Sequence, residues 1–117
     1  MTSKFLELKG LHKKFGQITA LNNVSLDVSK GEVIFIIGPS GCGKSTLLRT
    51  VNWLTPPDKG EVWLEGNIVG SLSSKLTIGE SKLLNNFRAR MGMVFQQFNV
   101  WPHLNVLENV VRAQTVV

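Results

Sequence analysis

Apolar positions along the chain change period several times, and each change predicts an element. Leu6 and Leu8 alternate with Glu7 and Lys9, and Val24, Leu26 and Val28 alternate with Ser25, Asp27 and Ser29, so two half-buried strands are expected on either side of a turn at Phe15-Gly16-Gln17. Lys30-Gly31 then punctuates the chain. Glu32 to Ile37 contains the unbroken apolar run Val33-Ile34-Phe35-Ile36-Ile37, rich in β-branched residues and closed by glycine, the pattern of a fully buried parallel strand. Leu47, Leu48, Val51 and Leu54 repeat at helical spacing, with no breaker before Pro56 and Pro57. Thr55 to Gly60 reads as a turn, Glu61 to Leu64 as a strand, and Glu65-Gly66-Asn67 as a second turn. A polar stretch from Ser71 leads to Thr77-Ile78-Gly79-Glu80, whose capping-box spacing opens a helix with Leu83, Leu84 and Phe87 on one face. Met91 to Phe95 reads as another buried strand, and Asn105 with Glu108 as the cap of a last helix through Val110 and Val111. An antiparallel piece therefore precedes a parallel α/β core.

Between the apolar run and the first helix lies Gly38-Pro39-Ser40-Gly41-Cys42-Gly43-Lys44-Ser45-Thr46, and here the residue types carry chemistry. Two glycines four residues apart, followed by Lys and Ser or Thr, make a phosphate-binding loop when a strand precedes and a helix follows. The glycines let consecutive N–H groups close around an anion, Lys44 brings a mobile positive charge to the outer phosphates, and the Ser45 hydroxyl is suited to ligate Mg²⁺. The helix N-terminus adds its own attraction for negative charge. A nucleoside triphosphate with magnesium is the expected ligand; the bland alternative is an ordinary Gly-rich turn between strand and helix.

Composition narrows the classes. The chain has 117 residues, 43% hydrophobic and 18% charged, which suits at most one small globular domain. The five-residue apolar run is too short to span a bilayer, and the N-terminus lacks a secretory pattern, so a cytoplasmic chain or one bound to a membrane through a partner is expected. A single cysteine, Cys42, excludes an internal disulfide. It reads as a small residue tolerated in a tight turn, in preference to a thiol activated by the helix N-terminus. The net charge of +5 comes from 13 Lys and Arg scattered from Lys4 to Arg112, without the patch or interleaved aromatics of a nucleic-acid surface, and no nucleic-acid partner is expected. His12 and His103 have no metal-site spacing.

Taken with its flanks, LHKKFGQITALNNVSLDVSKGEV before the loop, GPSGCGKSTLLRTVNWL through it, PPDKGEVWLEG and MGMVFQQFNVWPHLNVLENV, the chain resembles the N-terminal part of an ABC transporter ATP-binding subunit, most like those of polar amino-acid importers. The resemblance extends over essentially all of residues 1–117, which it identifies as the N-terminal portion of one ABC-type nucleotide-binding domain. It implies an α/β fold of the P-loop NTPase type: a parallel sheet with flanking helices plus an N-terminal antiparallel β subdomain, incomplete. It implies ATP and Mg²⁺ as cofactors, with Gly38 through Thr46 holding nucleotide and Lys44 acting in catalysis. VFQQF resembles the family's Q-loop, which implies that Gln96 reaches Mg²⁺ and the attacking water and senses the membrane subunits. Phe15 falls where the family carries an adenine-stacking aromatic, commonly Tyr; a hydrophobic plug at a strand end is the competing reading. Trp101 lies where a transmembrane permease subunit would dock and is the preferred anchor, whereas Trp53 and Trp63 are expected to fill the core.

The same resemblance implies a second ATP-binding subunit in a dimer, a periplasmic or extracellular solute-binding protein as an indirect partner, and a peripheral place on the cytoplasmic face of the membrane. The chain departs from the family pattern where hydrolysis needs it most. Its two aspartates, Asp27 and Asp58, do not end an apolar run followed by Glu, and the LSGGQ signature and switch histidine are absent. A truncated product or fragment is therefore expected, hydrolysis-incompetent alone, with weak Mg-ATP binding retained and with poor solubility or molten behaviour. A non-catalytic nucleotide-binding remnant or pseudogene product is the alternative. An ABC protein acting on ribosomes or DNA and a small GTPase are weaker, for want of tandem cassettes and of an Asn-Lys-x-Asp motif.

Overall fold

In the computed structural model, residues 4–70 and 78–116 are described. β1 (Lys4–Phe15) and β2 (Ile18–Ser29) form an antiparallel hairpin, followed by α1 (Lys44–Val51), β3 (Lys59–Leu64), β4 (Asn67–Ile68), α2 (Ile78–Ala89) and α3 (Val106–Val116). The four strands make one antiparallel sheet in the order β2-β1-β3-β4. Gly16 takes φ 62 at the first central position of the β1–β2 turn, and Glu65 and Gly66 both take positive φ in the β3–β4 turn, as two-residue hairpins require.

β1 is longer than its alternation suggests because it contains a bulge. Leu6 faces Val28 and Leu8 faces Leu26, but the register shifts before Leu11 meets Val24. Gly10 and Asn23 absorb the shift at φ 58 and 54, and the Gly10 N–H donates to Ser25 Oγ at 2.9 Å. Leu8 and Leu11, three residues apart, consequently both point into the core, where a regular strand would expose one of them. Leu21 of β2 and Val62 of β3 join them, with Leu47 and Val51 of α1, Trp53, Val69, and Leu84 and Phe87 of α2. Trp53 fills the core as expected, its ring lying so close to Gly70 that a Cβ there would come within 2.7 Å. Trp63 is only partly buried; its indole N–H donates to Glu61 Oε2 at 2.7 Å and the Lys9 ammonium sits 4.8 Å from its ring.

Helix signals fare unevenly. Asn105 and Glu108 form the expected capping box, the Glu108 N–H donating to Asn105 Oδ1 at 2.8 Å and the Asn105 N–H to Glu108 Oε2 at 3.2 Å. Leu84 and Phe87 are buried as expected, while Thr77 and the Leu83 side chain lie outside the described residues. α1 ends at Val51 rather than running to Leu54, because Trp53 reverses the chain at φ 64.

The two buried-type strands are the correction. Neither Val33 to Ile37 nor Met91 to Phe95 pairs as a strand, and Val33, Phe35, Ile37 and Val94 are 76, 85, 92 and 96% exposed. An apolar run of this kind is buried only when strands flank both its edges and helices cover both faces. Among the described residues the four strands pair with one another, and the parallel sheet is not formed. The α/β composition and the antiparallel β portion are as expected.

Two exposed carboxylates tie turns to their neighbours, Asp58 to β1 and Glu65 to the end of α2. Asp58 accepts the Lys14 backbone N–H at 2.8 Å and the Lys13 ammonium at 3.3 Å, and Glu65 takes both arms of the Arg90 guanidinium at 3.0 and 3.2 Å. The Lys14 N–H, then Lys13, holds the Asp58 carboxyl below its ordinary value; the Arg90 hydrogen bonds do the same for Glu65. A carboxylate depressed in the folded state contributes stability that is complete above its ordinary value near ~4 and is lost as pH falls through the depressed one. Urea unfolding midpoints measured from pH 6 downward should therefore fall, with a flatter acid limb for Asp58→Asn; identical limbs would contradict this assignment. Added salt should shrink the difference, since both groups face solvent.

Candidate phosphate-binding site

Local geometry at Gly38 to Thr46 follows from what each residue permits. Gly41 and Gly43 adopt φ 80 and 100, and Gly43 serves as the N-cap of α1 without any side-chain cap. A Cβ on Gly43 would lie 2.4 Å from the Ala20 carbonyl oxygen, so the loop rests against β2 at a distance only glycine allows. The Cys42 N–H donates to Pro39 O at 3.3 Å and closes a turn inside the loop. The first bond of α1 runs from Leu47 N–H to Gly43 O at 2.9 Å, which leaves the N–H groups of Lys44, Ser45 and Thr46 ahead of it at the positive end of the helix.

Lys44 folds back over this loop. Its ammonium donates to Gly38 O at 2.6 Å and Pro39 O at 2.7 Å and stands 3.5 Å from Cys42 Sγ. Ser45 is exposed beside it. Loop glycines, free helix-end N–H groups, a mobile ammonium and a hydroxyl together make a donor set that fits a magnesium polyphosphate.

Lys44 and Ser45 open onto a cleft of about 1050 Å³, whose opposite wall is residues 93–97 with Asn99. The structure thus brings Lys44, Ser45 and Gln96 to one space. Gly38 to Cys42 and Thr46 adjoin it without lining it. Phe15 is elsewhere: half exposed at the hairpin tip, with the Lys13 ammonium 5.4 Å from its ring, it does not line the cleft. Trp101 is 45% exposed, its backbone clasped by Asn109, which accepts the Trp101 N–H at 2.8 Å and donates to its carbonyl at 3.3 Å. Sequence reasoning passed over Arg49, which also lines the cleft. The signal was available, because Arg49 follows Ser45 by one helical turn and so shares its face.

A family model of ABC transporters matches residues 21–116, most of the chain and all of the cleft. The chain belongs to the ABC transporter family. It is 42% identical over 116 residues to the histidine/lysine/arginine/ornithine transport ATP-binding protein HisP of Escherichia coli, covering 97% of this chain and 45% of that protein. It is 41% identical over 112 residues to the glutamate/aspartate import ATP-binding protein GltL of the same species, covering 96% and 43%. A solved dimeric ATP-binding cassette in a post-hydrolysis state, bound to ADP and Pi, superposes with a TM-score of 0.72 at 40% identity, covering 90% of this chain and 44% of that one. The ABC chain therefore spans a little under half the length of the relatives it matches, and its fold is part of an ABC ATPase cassette. No helix among the described residues is long and apolar enough to cross a membrane.

Proposed function

We propose that this ABC chain supplies the phosphate loop and Q-loop of an ATP-binding subunit that couples ATP binding and hydrolysis to import of a polar amino acid. The observation that carries the proposal is the shared cleft of Lys44, Ser45 and Gln96. In it, the N–H groups from Gly41 to Thr46 wrap the phosphates, and Lys44 exchanges the Gly38 and Pro39 carbonyls for phosphate oxygens. Ser45 and Gln96 would hold Mg²⁺ from opposite walls. Held there by Ser45 and Gln96, magnesium would supply positive charge against the negative charge that develops in transfer. Gln96 additionally orients water in line with the terminal phosphate. Phe15, at the hairpin tip outside the cleft, offers an aromatic face to an adenine that extends beyond it. The relatives' names support amino-acid import, and because one of them transports basic and the other acidic amino acids, the solute is set outside this cleft.

On this reading two such subunits work as a dimer on the cytoplasmic face of the membrane, meeting permease subunits near Trp101 and serving an extracellular or periplasmic solute-binding protein through them. Among the described residues lining the cleft there is no carboxylate to hold the metal or activate water, which favours binding without turnover by this chain alone. Calorimetric titration with Mg-ATP should give saturable heat that Lys44→Ala abolishes, and phosphate release should stay at background. Equal heats from the two proteins would refute binding through the loop; release dependent on Lys44 would refute the non-catalytic reading of the chain by itself.

A further inference from the structure

We propose that Arg88 is a positioning residue which, from the far end of α1, sets Gln96 against the phosphate loop; the inference rests on Gln96 being the metal-side residue of the cleft. α1 carries Lys44 and Ser45 at its start and leads into Asn52 and Trp53 at its end. Eight residues of helix separate the two ends by ~12 Å, and a helix is stiff over that distance, so a grip on its far end sets the helix and loop as one body against the wall that carries Gln96. The chain reversal at Trp53 turns two successive carbonyls toward α2. Arg88 takes both, Nε donating to Asn52 O at 3.0 Å and Nη2 to Trp53 O at 2.9 Å in a partly buried setting. A rigid planar fork across two carbonyls fixes angle as well as distance, which a single flexible donor does not.

The other wall of the cleft starts from the same place. Just after Arg88, the Met91 N–H donates to the Arg88 carbonyl at 3.1 Å and turns the chain out of α2 into residues 91–97. Asn52, whose carbonyl Arg88 holds, reaches across with its side-chain amide to Met93 Sδ at 3.5 Å. Met93 lies on the cleft wall three residues before Gln96. Residues 91–100 have no strand pairing, so no ladder fixes their register against α1. Arg88 and Asn52 provide the connection in its place. Asn52–Met93 is a weak bond, because a thioether is a poor acceptor, and the guanidinium fork is the stronger member of the pair.

A four-protein cycle on the full chain tests this: wild type, Arg88→Met, Gln96→Ala and the double variant, each titrated with ATP in EDTA and in excess Mg²⁺. The readout is the affinity gained on adding magnesium, which a merely structural loss would not single out. Gln96→Ala should reduce the gain by about tenfold or more, because loss of even an outer-shell partner of a metal costs that much. Arg88→Met should reduce it by a similar factor with metal-free affinity unchanged, and the double variant should lose no more than either single. Losses that multiply, a gain left intact in Arg88→Met, or an equal fall in metal-free affinity would overturn the proposal. If Gln96→Ala keeps the full gain, the metal reading of Gln96 fails first, and the proposal with it. Should Arg88→Met not fold, Arg88→Lys carries the cycle: one donor in place of the fork should lose part of the gain, and full retention would overturn the positioning role.

Discussion

Gly43→Ala is expected to weaken nucleotide binding by about a hundredfold or more although Lys44, Ser45 and Gln96 all remain. At φ 100 a Cβ is strained whatever the space around it, and strained positions of this kind cost about 1–3 kcal/mol. Here the space is also taken: the new methyl would stand 2.4 Å from the Ala20 carbonyl oxygen and 3.3 Å from its carbon, both backbone of β2. The loop must lift off β2, and α1 begins at that residue, so its free N–H groups turn away with it. At one factor of ten per 1.4 kcal/mol, strain and displacement together should weaken Mg-ATP binding by about a hundredfold or more. Gly41→Ala is the internal control. Its φ is 80 but nothing lies within 4 Å of the added Cβ, so it should cost only the strain, about tenfold in affinity. Titrations that find the two variants equal would remove the contact with Ala20 from the explanation.

The second large effect lies in the sheet. Leu11 is fully buried, and it reaches the core through the bulge at Gly10 and Asn23. Leu11→Ala leaves a cavity in the core cluster and should cost about 2–5 kcal/mol, a large share of the ~5–15 kcal/mol that holds a domain together. Hydrogen exchange is the suitable measurement, because it reads protection strand by strand. Amides of β1 and β2 should exchange about thirtyfold faster or more in the variant, by the same conversion of free energy into ratio. Unchanged protection would mean that the sheet does not depend on this packing.

Legibility in the sequence tracked how locally each feature is determined. The backbone of the glycine loop could be read because what it demands at Gly43, positive φ and close approach, is met by glycine alone. The Asn105–Glu108 box was equally plain, since both partners lie within one turn. The turn at Glu65-Gly66 and the burial of Trp53 were legible for the same reason. The reach of β1 was not. Leu6 and Leu8 announce a period of two, and Leu11 falls out of phase until Ser25, on the other strand, receives the Gly10 N–H. Arg88 gave no sign of itself, for its two acceptors are carbonyls at the end of another helix. The runs at Val33 and Met91 mark the opposite failure. Their composition states what environment they suit, and it takes neighbouring strands to supply that environment.

Lys44 carries one more consequence. Its ammonium is already satisfied by two carbonyls at 2.6 and 2.7 Å, so binding at the loop is an exchange of partners and not the filling of a void. A small singly charged anion offers Lys44 no more than it gives up. A chain of phosphates, which can engage the loop N–H groups and the ammonium at once, repays the exchange several times over. On the proposed function, the closed lysine is therefore expected to act as a threshold, holding back chloride and carboxylates and yielding to polyphosphate.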